Sequence, residues 1–458
     1  MHNVRFHISA FILVAALVLS GCANLILAPR PMALLSGERA DHPALAVEPN
    51  GTKHLVWVEY SPTTSYLVYT RTHFGEPELQ IQITPPEGQG YILPDIAVDG
   101  FGNAFIVFSQ CEFITCRDKY AVIPADSSGT PPVVLDLPPS QTLSNTQTRV
   151  VARGSWVYAL YEVPLMVTQA SSSPNQANAA MGSGIYYRQL QGGSRAGKVL
   201  VDMNYQARDA SPGIDANGDL FVALKATDVN NDQMSIRVYS NQGLSADMDP
   251  KLFTGAVSGY LSGPSLAIGS DGAVYVAYAQ QGAAGQQVYV RELGVFTTTV
   301  PYGSMTAWEL LGDPQVTSMG TDFYVVFSAR NNASSDYEIW GLRESMTQVA
   351  QITDNLDEDG APRISRLTID GSEWPLAAWR TVIESGGSTC YGDGYIWFLT
   401  TRKVHEGKGA CENSSQDLAA AAEFAGAIWI DAPAPLNTQR LPWASFNAYG
   451  SYLPFARR

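Results

Sequence analysis

Two short acidic segments contain the side chains best suited to bind a cation. The first, residues 354–360, is Asp-Asn-Leu-Asp-Glu-Asp-Gly, and Asp354, Asp357 and Asp359 are its candidate metal ligands. Clustered carboxylates repel one another unless a cation or a basic group lies near them. The second, residues 228–232, has the alternating oxygens of a calcium loop, but Gln233 stands where such loops have Gly. Calcium is therefore the candidate cofactor, and a solvated acidic loop is the alternative for each segment.

The first 22 residues have the pattern of an export signal. Arg5 precedes an apolar run over residues 8–19, too short to span a bilayer comfortably, and Leu-Ser-Gly-Cys follows at 19–22. These residues resemble a bacterial lipoprotein signal, in which the Cys is lipidated after cleavage before it. The resemblance implies a signal peptide over 1–21, lipidation of Cys22, with palmitate among the acyl chains, and a tether over 22–31. An ordinary secretory signal with an incidental Cys is the alternative.

The four other cysteines form two close pairs along the chain. Cys111 and Cys116 flank one short segment, and Cys390 and Cys411 flank a longer one. Four cysteines allow three connectivities, and an exported chain meets an oxidising compartment. We therefore predict loop disulfides 111–116 and 390–411. A metal site is the alternative, although the chain has no Cys-x₂-Cys or His-Glu-x₂-His pattern.

A repeated phrase organises the rest of the chain. Its clearest copy, residues 264–278, is Pro-Ser-Leu-Ala-Ile-Gly-Ser-Asp-Gly-Ala-Val-Tyr-Val-Ala-Tyr, and seven copies begin at residues 43, 94, 148, 212, 264, 314 and 362. Each copy reads as two strands and a tight hairpin, because Asn-Gly and Asp-Gly supply the positive φ that such turns need. An aromatic third strand and a weaker fourth strand follow most copies.

Four antiparallel strands in every fifty residues or so predict an all-β fold, the β-propeller. We predict seven blades, with eight as the alternative because 97 residues remain from Pro362 onward. Residues 32–38 are predicted to close the ring as the outer strand of the last blade. The propeller domain would span 32–458, with insertions at 168–183 and 403–425, and the Ala-rich stretch 418–422 could form one or two helical turns.

Residues beside the starts of the first strands are predicted to rim the central channel, where a propeller can bind a ligand. These candidate ligand-binding residues are Asp41, His42, Asp313 and Arg363. The predicted ligand is a glycan, a peptide or a protein.

Several copies, such as residues 94–108, resemble the repeats of sialidase-like and related bacterial β-propellers. Ser270-Asp271-Gly272 and residues 215–218 resemble fragments of the family's Asp-box. However, both lie in the turn between the first two strands, where a hairpin turn accounts for them. The family's Arg-Ile-Pro motif is matched only by Arg-Ile-Ser at 363–365, in the last blade. No catalytic residue is therefore carried over from the resemblance.

The charge of the chain argues against one class of partner. The formal net charge is −15, and no run of Lys or Arg suggests a nucleic-acid partner. We predict a monomeric, lipid-anchored β-propeller of the bacterial cell envelope that binds its ligand without catalysis. A sialidase-like glycoside hydrolase or lyase is the alternative. Carboxylates clustered with Arg in the channel would favour the enzyme, and a channel of small apolar residues would exclude it.

Overall fold

All regular structure in the described residues is β-strand. The computed structural model describes residues 30–32, 39–73, 76–112, 115–137, 142–143, 148–166, 181–199, 205–241, 251–252, 259–282, 285–294, 309–330, 336–343, 349–355, 358–369, 372–385, 388–398, 400–405, 416–421, 424–429 and 443–447. From residue 382 onward, it describes the backbone alone. Among all the described residues, there is no helix that is long and apolar enough to cross a membrane.

The first described strand is β1 (Arg30–Met32), and the strands that follow pair as antiparallel sheets. Sheet 1 contains β2 (Arg39–Val47), β3 (Lys53–Tyr60), β4 (Ser65–His73) and β5 (Glu76–Ile83). Sheet 2 contains β6 (Gly90–Val98), β7 (Ala104–Glu112), β8 (Thr115–Ile123), β9 (Val134–Asp136) and β10 (Thr142–Leu143). Sheet 3 contains β11 (Arg149–Arg153), β12 (Trp156–Met166), β13 (Met181–Gln191) and β14 (Ala196–Lys198).

The later sheets repeat this plan. Sheet 4 contains β15 (Tyr205–Ile214), β16 (Leu220–Asp228), β17 (Met234–Ser240) and β18 (Lys251–Leu252), and one parallel pairing, Ser183 with Gln206, links it to sheet 3. Sheet 5 contains β19 (Ser265–Ile268), β20 (Val274–Gly282) and β21 (Gly285–Glu292). Sheet 6 contains β22 (Glu309–Leu310), β23 (Gln315–Met319), β24 (Asp322–Arg330), β25 (Glu338–Arg343) and β26 (Ala350–Gln351).

Two sheets complete the described chain. Sheet 7 contains β27 (Glu358–Ile369), β28 (Ser372–Ser385), β29 (Ser388–Phe398) and β30 (Thr400–His405). Sheet 8 contains β31 (Gln416–Ala421), β32 (Phe424–Trp429) and β33 (Trp443–Asn447), and β1 pairs antiparallel with β33 at its edge. The last sheet thus joins strands from opposite ends of the described chain.

Apolar layers lie between consecutive sheets. The second strands are buried on both faces, as in β20, where Val274, Tyr275 and Val276 are all at most 3% exposed. Separate apolar clusters fill the interfaces from sheets 1 and 2 through to sheets 6 and 7. Burial on both faces explains why these strands read as near-continuous apolar runs.

The first strands of the sheets are neighbours. β2 lies beside β6, β6 beside β11, β11 beside β15, β15 beside β19, β19 beside β23, and β23 beside β27, whereas β31 lies beside both β27 and β2. First strands gathered in this way, with the other strands stepping outward from them, are the arrangement expected of a β-propeller.

Several segment boundaries differ from the prediction. The predicted helical turns over residues 418–422 do not form at residues 418–421, which belong to β31 and pair with β32, whereas residue 422 is not described. Sheet pairing here outweighs local helix propensity. β30 and β31 include residues 403–405 and 416–421 of the predicted insertion 403–425. β13 begins at Met181, inside the predicted insertion 168–183, whose residues up to 180 lie outside the described chain. β1 spans Arg30–Met32, residues 33–38 are not described, and the tether over residues 22–31 stays a prediction.

Candidate functional site

A polar cavity of about 510 Å³ lies between the first strands of sheets 1 to 7. Residues in the first strands, or directly before them, form its wall, and each of the seven sheets supplies two to four of these residues. Among the lining residues, none is Trp, Tyr or Phe. Those with ionisable or basic side chains are His42, Asp95, Arg149, Asp209, Asp313 and Arg363. This wall can therefore bind a ligand through hydrogen bonds and charge, and not through stacking on Trp, Tyr or Phe rings.

Bulges at the cavity distort the first strands in the same way. β2, β6, β15 and β27 each change register against their second strand at this level. His42, Leu93 and Asp209 lie in three of these bulges with φ of 49°, 52° and 55°, a region that few residues other than Gly adopt. Bulges re-aim side chains, and all three residues line the cavity.

Asp209 and Asp313 approach each other across Gly263. A Cβ atom at Gly263 would lie 2.9 Å from Asp209 Cβ and 2.8 Å from Asp313 Oδ2. The Gly263 N–H donates to Asp313 Oδ1 at 2.8 Å, and Lys225 Nζ lies 2.7 Å from Asp209 Oδ2. The missing side chain at Gly263 thus lets carboxylates from sheets 4 and 6 share one part of the cavity.

Burial raises the pKa of Asp313, and the negative charge of Asp209 raises it further. The Gly263 N–H, Lys225 and Arg363 act in the opposite direction but do not cancel this effect. Asp313 is an exposed residue that lines the cavity, and the cavity walls partly desolvate its carboxylate. Asp313 therefore keeps its proton to a higher pH than an exposed aspartate does.

Burial also raises the pKa of Asp95, on the other side of the cavity. Arg149 and two backbone N–H groups oppose the shift, with Val150 N at 2.9 Å and Ile96 N at 3.0 Å from the carboxylate oxygens. Asp95 is thus held by protein donors before any ligand arrives.

Side-chain oxygens link each of three first strands to the next. Asp95 accepts a hydrogen bond from Val150 N, Ser211 Oγ from Leu266 N at 3.0 Å, and Ser265 Oγ from Val316 N at 3.1 Å. The three occupy the same register position, opposite Val107, Ala223 and Ala277. The sequence did not predict these three linking side chains. The pattern that could have indicated them is an Asp or Ser directly beside the proline of the second, fourth and fifth copies.

The predicted rim residues fall at or next to the cavity. His42, Asp313 and Arg363 line it. Asp41 lies beside His42, whose N–H donates to Asp41 Oδ1 at 2.8 Å and whose Nδ1 is 3.3 Å from Oδ2. Their part in ligand binding stays a prediction.

The structure describes two of the three predicted metal ligands. Asp354 is exposed, whereas Asp359 is fully buried in β27 and accepts a hydrogen bond from Asn355 Nδ2 at 2.9 Å. Asp357 lies outside the described residues. Among the residues described, no three His, Cys, Asp or Glu side chains are grouped as metal ligands. A metal site at these three residues stays a prediction.

Cys111 and Cys116 are joined by a disulfide between the paired strands β7 and β8. The side chain of Cys390 and the whole of Cys411 lie outside the described residues, as does Cys22. The 390–411 pairing and the lipidation site therefore stay predictions.

No protein-family model matches the chain, and no curated protein matches it either. Solved structures of similar fold include a polysaccharide lyase of family PL25, an ulvan lyase: TM-score 0.44, 8% identity, covering 90% of this chain and 95% of the lyase. An α-L-arabinanase of Penicillium chrysogenum complexed with arabinobiose gives a TM-score of 0.40 and 9% identity, covering 92% of this chain and 99% of that one. TolB from Acinetobacter baumannii gives 0.32 and 9%, covering 78% and 80%. Likeness at this level assigns neither a substrate nor a mechanism.

Proposed function

We propose that the eight sheets form an eight-bladed β-propeller, closed where β1 pairs with β33. The neighbouring first strands support this proposal, since β31 lies beside both β27 and β2. A disulfide engineered at the paired positions, Pro31→Cys with Ala444→Cys, would test the closure. We expect the doubly substituted chain to cross-link under oxidation, and failure to cross-link would contradict closure by β1.

We propose that the central cavity binds a glycan segment and does not cleave it. The observation that carries this proposal is that protein donors already hold all three cavity carboxylates: Val150 N holds Asp95, Lys225 holds Asp209, and Gly263 N holds Asp313. Acceptors fixed in this way can orient hydroxyl groups. Arg149 and Arg363 supply donors on the same wall. The combination of acceptors and donors on one wall fits a polyhydroxylated ligand, and the cavity volume lies within the range of small-ligand pockets.

A glycan array probed with the purified protein tests this binding. We expect a defined set of oligosaccharides to bind and an array hit to be returned unchanged after long incubation with the protein. Absence of binding to every glycan would contradict the proposal. Peptide and protein ligands, which the rim could also accept, would then be screened.

A second candidate function is glycoside hydrolysis, with Asp313 as the general acid and Asp209 as the base or nucleophile. The observation that favours it is the approach of these two carboxyl groups across Gly263, with Arg363 on the same wall and the pKa of Asp313 raised. Paired carboxyl groups in different environments are the usual machinery for cleaving glycosidic bonds. A panel of fluorogenic glycosides separates the two functions.

The expected hydrolase behaviour is specific. Activity would fall as the pH rises through the elevated pKa of Asp313, because the acid would lose its proton. Asp313→Asn would abolish hydrolysis while changing glycan affinity less than about tenfold. Hydrolysis that survives this substitution would exclude Asp313 as the acid.

We also propose that the protein is a monomer anchored to the bacterial cell envelope by a lipid on Cys22. The lipobox at residues 19–22 supports the anchor. Cells fed labelled palmitate test it directly: wild-type protein should incorporate the label, and Cys22→Ala should not. Equal labelling of the two proteins would contradict the anchor.

A further inference from the structure

Asp118 breaks a rule that the other described sheets follow. In β8 it pairs opposite Ser109. The corresponding third-strand position is a buried Leu, Ile or Val in the other sheets whose side chains are described there: Leu67, Ile185, Ile236, Val288 and Ile339. Asp118 is just as buried, at 0% exposure. A carboxyl group thus occupies a position that is aliphatic in the other sheets whose side chains are described there.

The surroundings of Asp118 satisfy only part of its carboxyl group. Ser109 Oγ donates to Oδ1 at 3.1 Å, whereas Oδ2 has no hydrogen-bond partner among the described residues. A buried, unpaired oxygen is costly when it is ionised and much less so when it carries a proton.

Charged neighbours do not offset that cost. On its own strand, Arg117 and Lys119 alternate to the other face, and Lys119 pairs with Asp136 of β9. Facing it from sheet 3 are the stacked rings of Tyr161 and Tyr186. Two charged groups of sheet 3 lie near this seam. The charge of Glu162, whose own pKa is raised by burial, repels the Asp118 carboxylate, and the Arg188 guanidinium donates to the Asp136 carbonyl at 3.3 Å.

We propose that Asp118 is a proton-dependent latch between sheets 2 and 3. The protonated carboxyl group packs in the apolar layer and holds the sheets together, and the carboxylate loosens this seam. The proton exchanges with water when the seam opens, so no other reactant is needed. This proposal concerns regulation of the fold and does not depend on what the central cavity binds.

The pH range follows from the direction of the shift. Burial raises the pKa of Asp118 from 3.8 to about 7, and Glu162 adds to the shift while Ser109 opposes it. In the opened seam the carboxyl group would have its ordinary pKa. The latch is therefore fully effective below the ordinary value, is lost as the pH rises toward about 7, and changes little above that.

Hydrogen exchange of the full chain, corrected for the intrinsic effect of pH, tests the latch. Between about pH 5 and about pH 8, we expect protection of β8 and β12 amides to fall about 100-fold in the wild type, while sheets 5 and 6 change little. Asp118→Asn, which cannot ionise, should show no such fall. The matched control Asp126→Asn, an exposed aspartate in the same segment of the chain, should behave as the wild type does.

Three results would overturn the proposal. The protection of the β8 and β12 amides could stay constant with pH in the wild type, it could fall by the same factor in Asp118→Asn, or the amides of every sheet could lose protection equally. Asp118→Leu restores the side-chain type of the repeat and serves if the Asn variant folds poorly. Its seam should be protected at every pH in this range, and a pH-dependent fall in that variant would also refute the latch.

Discussion

Replacing Gly263 with Ala should disrupt the carboxylate pair of the cavity. The added Cβ atom would lie 2.8 Å from Asp313 Oδ2 and 2.9 Å from Asp209 Cβ, closer than such atoms pack. The contact with Asp209 Cβ requires a small backbone shift, and the contact with Oδ2 requires the Asp313 carboxylate to move. Its movement breaks the 2.8 Å hydrogen bond from the residue-263 N–H. The loss of this partly buried hydrogen bond together with overpacking should cost about 1–3 kcal/mol.

A double-mutant cycle measures this effect. Gly263→Ala, Asp313→Ala and the double variant are unfolded in guanidinium while tryptophan fluorescence is followed; the chain has 9 Trp residues. We expect Gly263→Ala to cost at least about 1 kcal/mol less in the Asp313→Ala background, because the clash with Oδ2 and the hydrogen bond are already gone. Additive costs would refute the inferred contact between Gly263 and Asp313.

Three further substitutions test other parts of the fold and the site. Ser265→Ala leaves Val316 N without its acceptor and should destabilise the protein by about 1–3 kcal/mol in guanidinium unfolding, whereas Ser270→Ala, at an exposed turn, should be neutral. Cys111→Ser removes a disulfide between residues only 5 apart and should cost about 2 kcal/mol, measured as a lower unfolding midpoint under oxidising conditions. His42→Ala should weaken binding of an array-selected oligosaccharide several-fold in calorimetry without lowering the unfolding midpoint.

The strand plan could be predicted because the repeat carries strong local signals. Alternating aromatic and aliphatic residues predicted β20, and Asp-Gly turns predicted the hairpins. The structure shows why those aspartates are turn formers: Asp215 Oδ1 accepts hydrogen bonds from Asn217 N and Asp219 N, both at 2.8 Å. Asp271 does the same for Ala273 N at 3.0 Å. These contacts support hairpin turns over Asp-box fragments.

The register at the cavity could not be predicted in the same way. An alignment of the copies by sequence places Pro212 at the position of Pro94. Strand pairing gives a different alignment, because Ser211 lies opposite Ala223 in the way that Asp95 lies opposite Val107. The proline of the fourth copy is therefore displaced by two positions. A bulge absorbs such shifts, and only tertiary packing determines where the bulge forms.

The key features of the site depend on neighbours that are distant in sequence. Gly263 matters because Asp209 and Asp313 flank it, and those residues lie on other sheets. Asp118 can be recognised as unusual only from the strand register. Its pairing with Ser109 places it at the position that Ile185 and Ile236 occupy in sheets 3 and 4. Three of the predicted rim residues, in contrast, could be selected from sequence because each adjoins the first residue of a repeat copy, and their part in ligand binding stays a prediction.

The most direct test of the central claim is calorimetric titration of an array-selected oligosaccharide into the protein. Arg363 lines the cavity, whereas Arg366 in the same strand pairs with Glu373 at 3.0 Å and does not line it. Binding in the cavity predicts that Arg363→Ala weakens affinity by at least about tenfold, a loss of about 1.4 kcal/mol, while Arg366→Ala leaves affinity unchanged. Equal affinity of the wild type and Arg363→Ala would contradict recognition by the cavity.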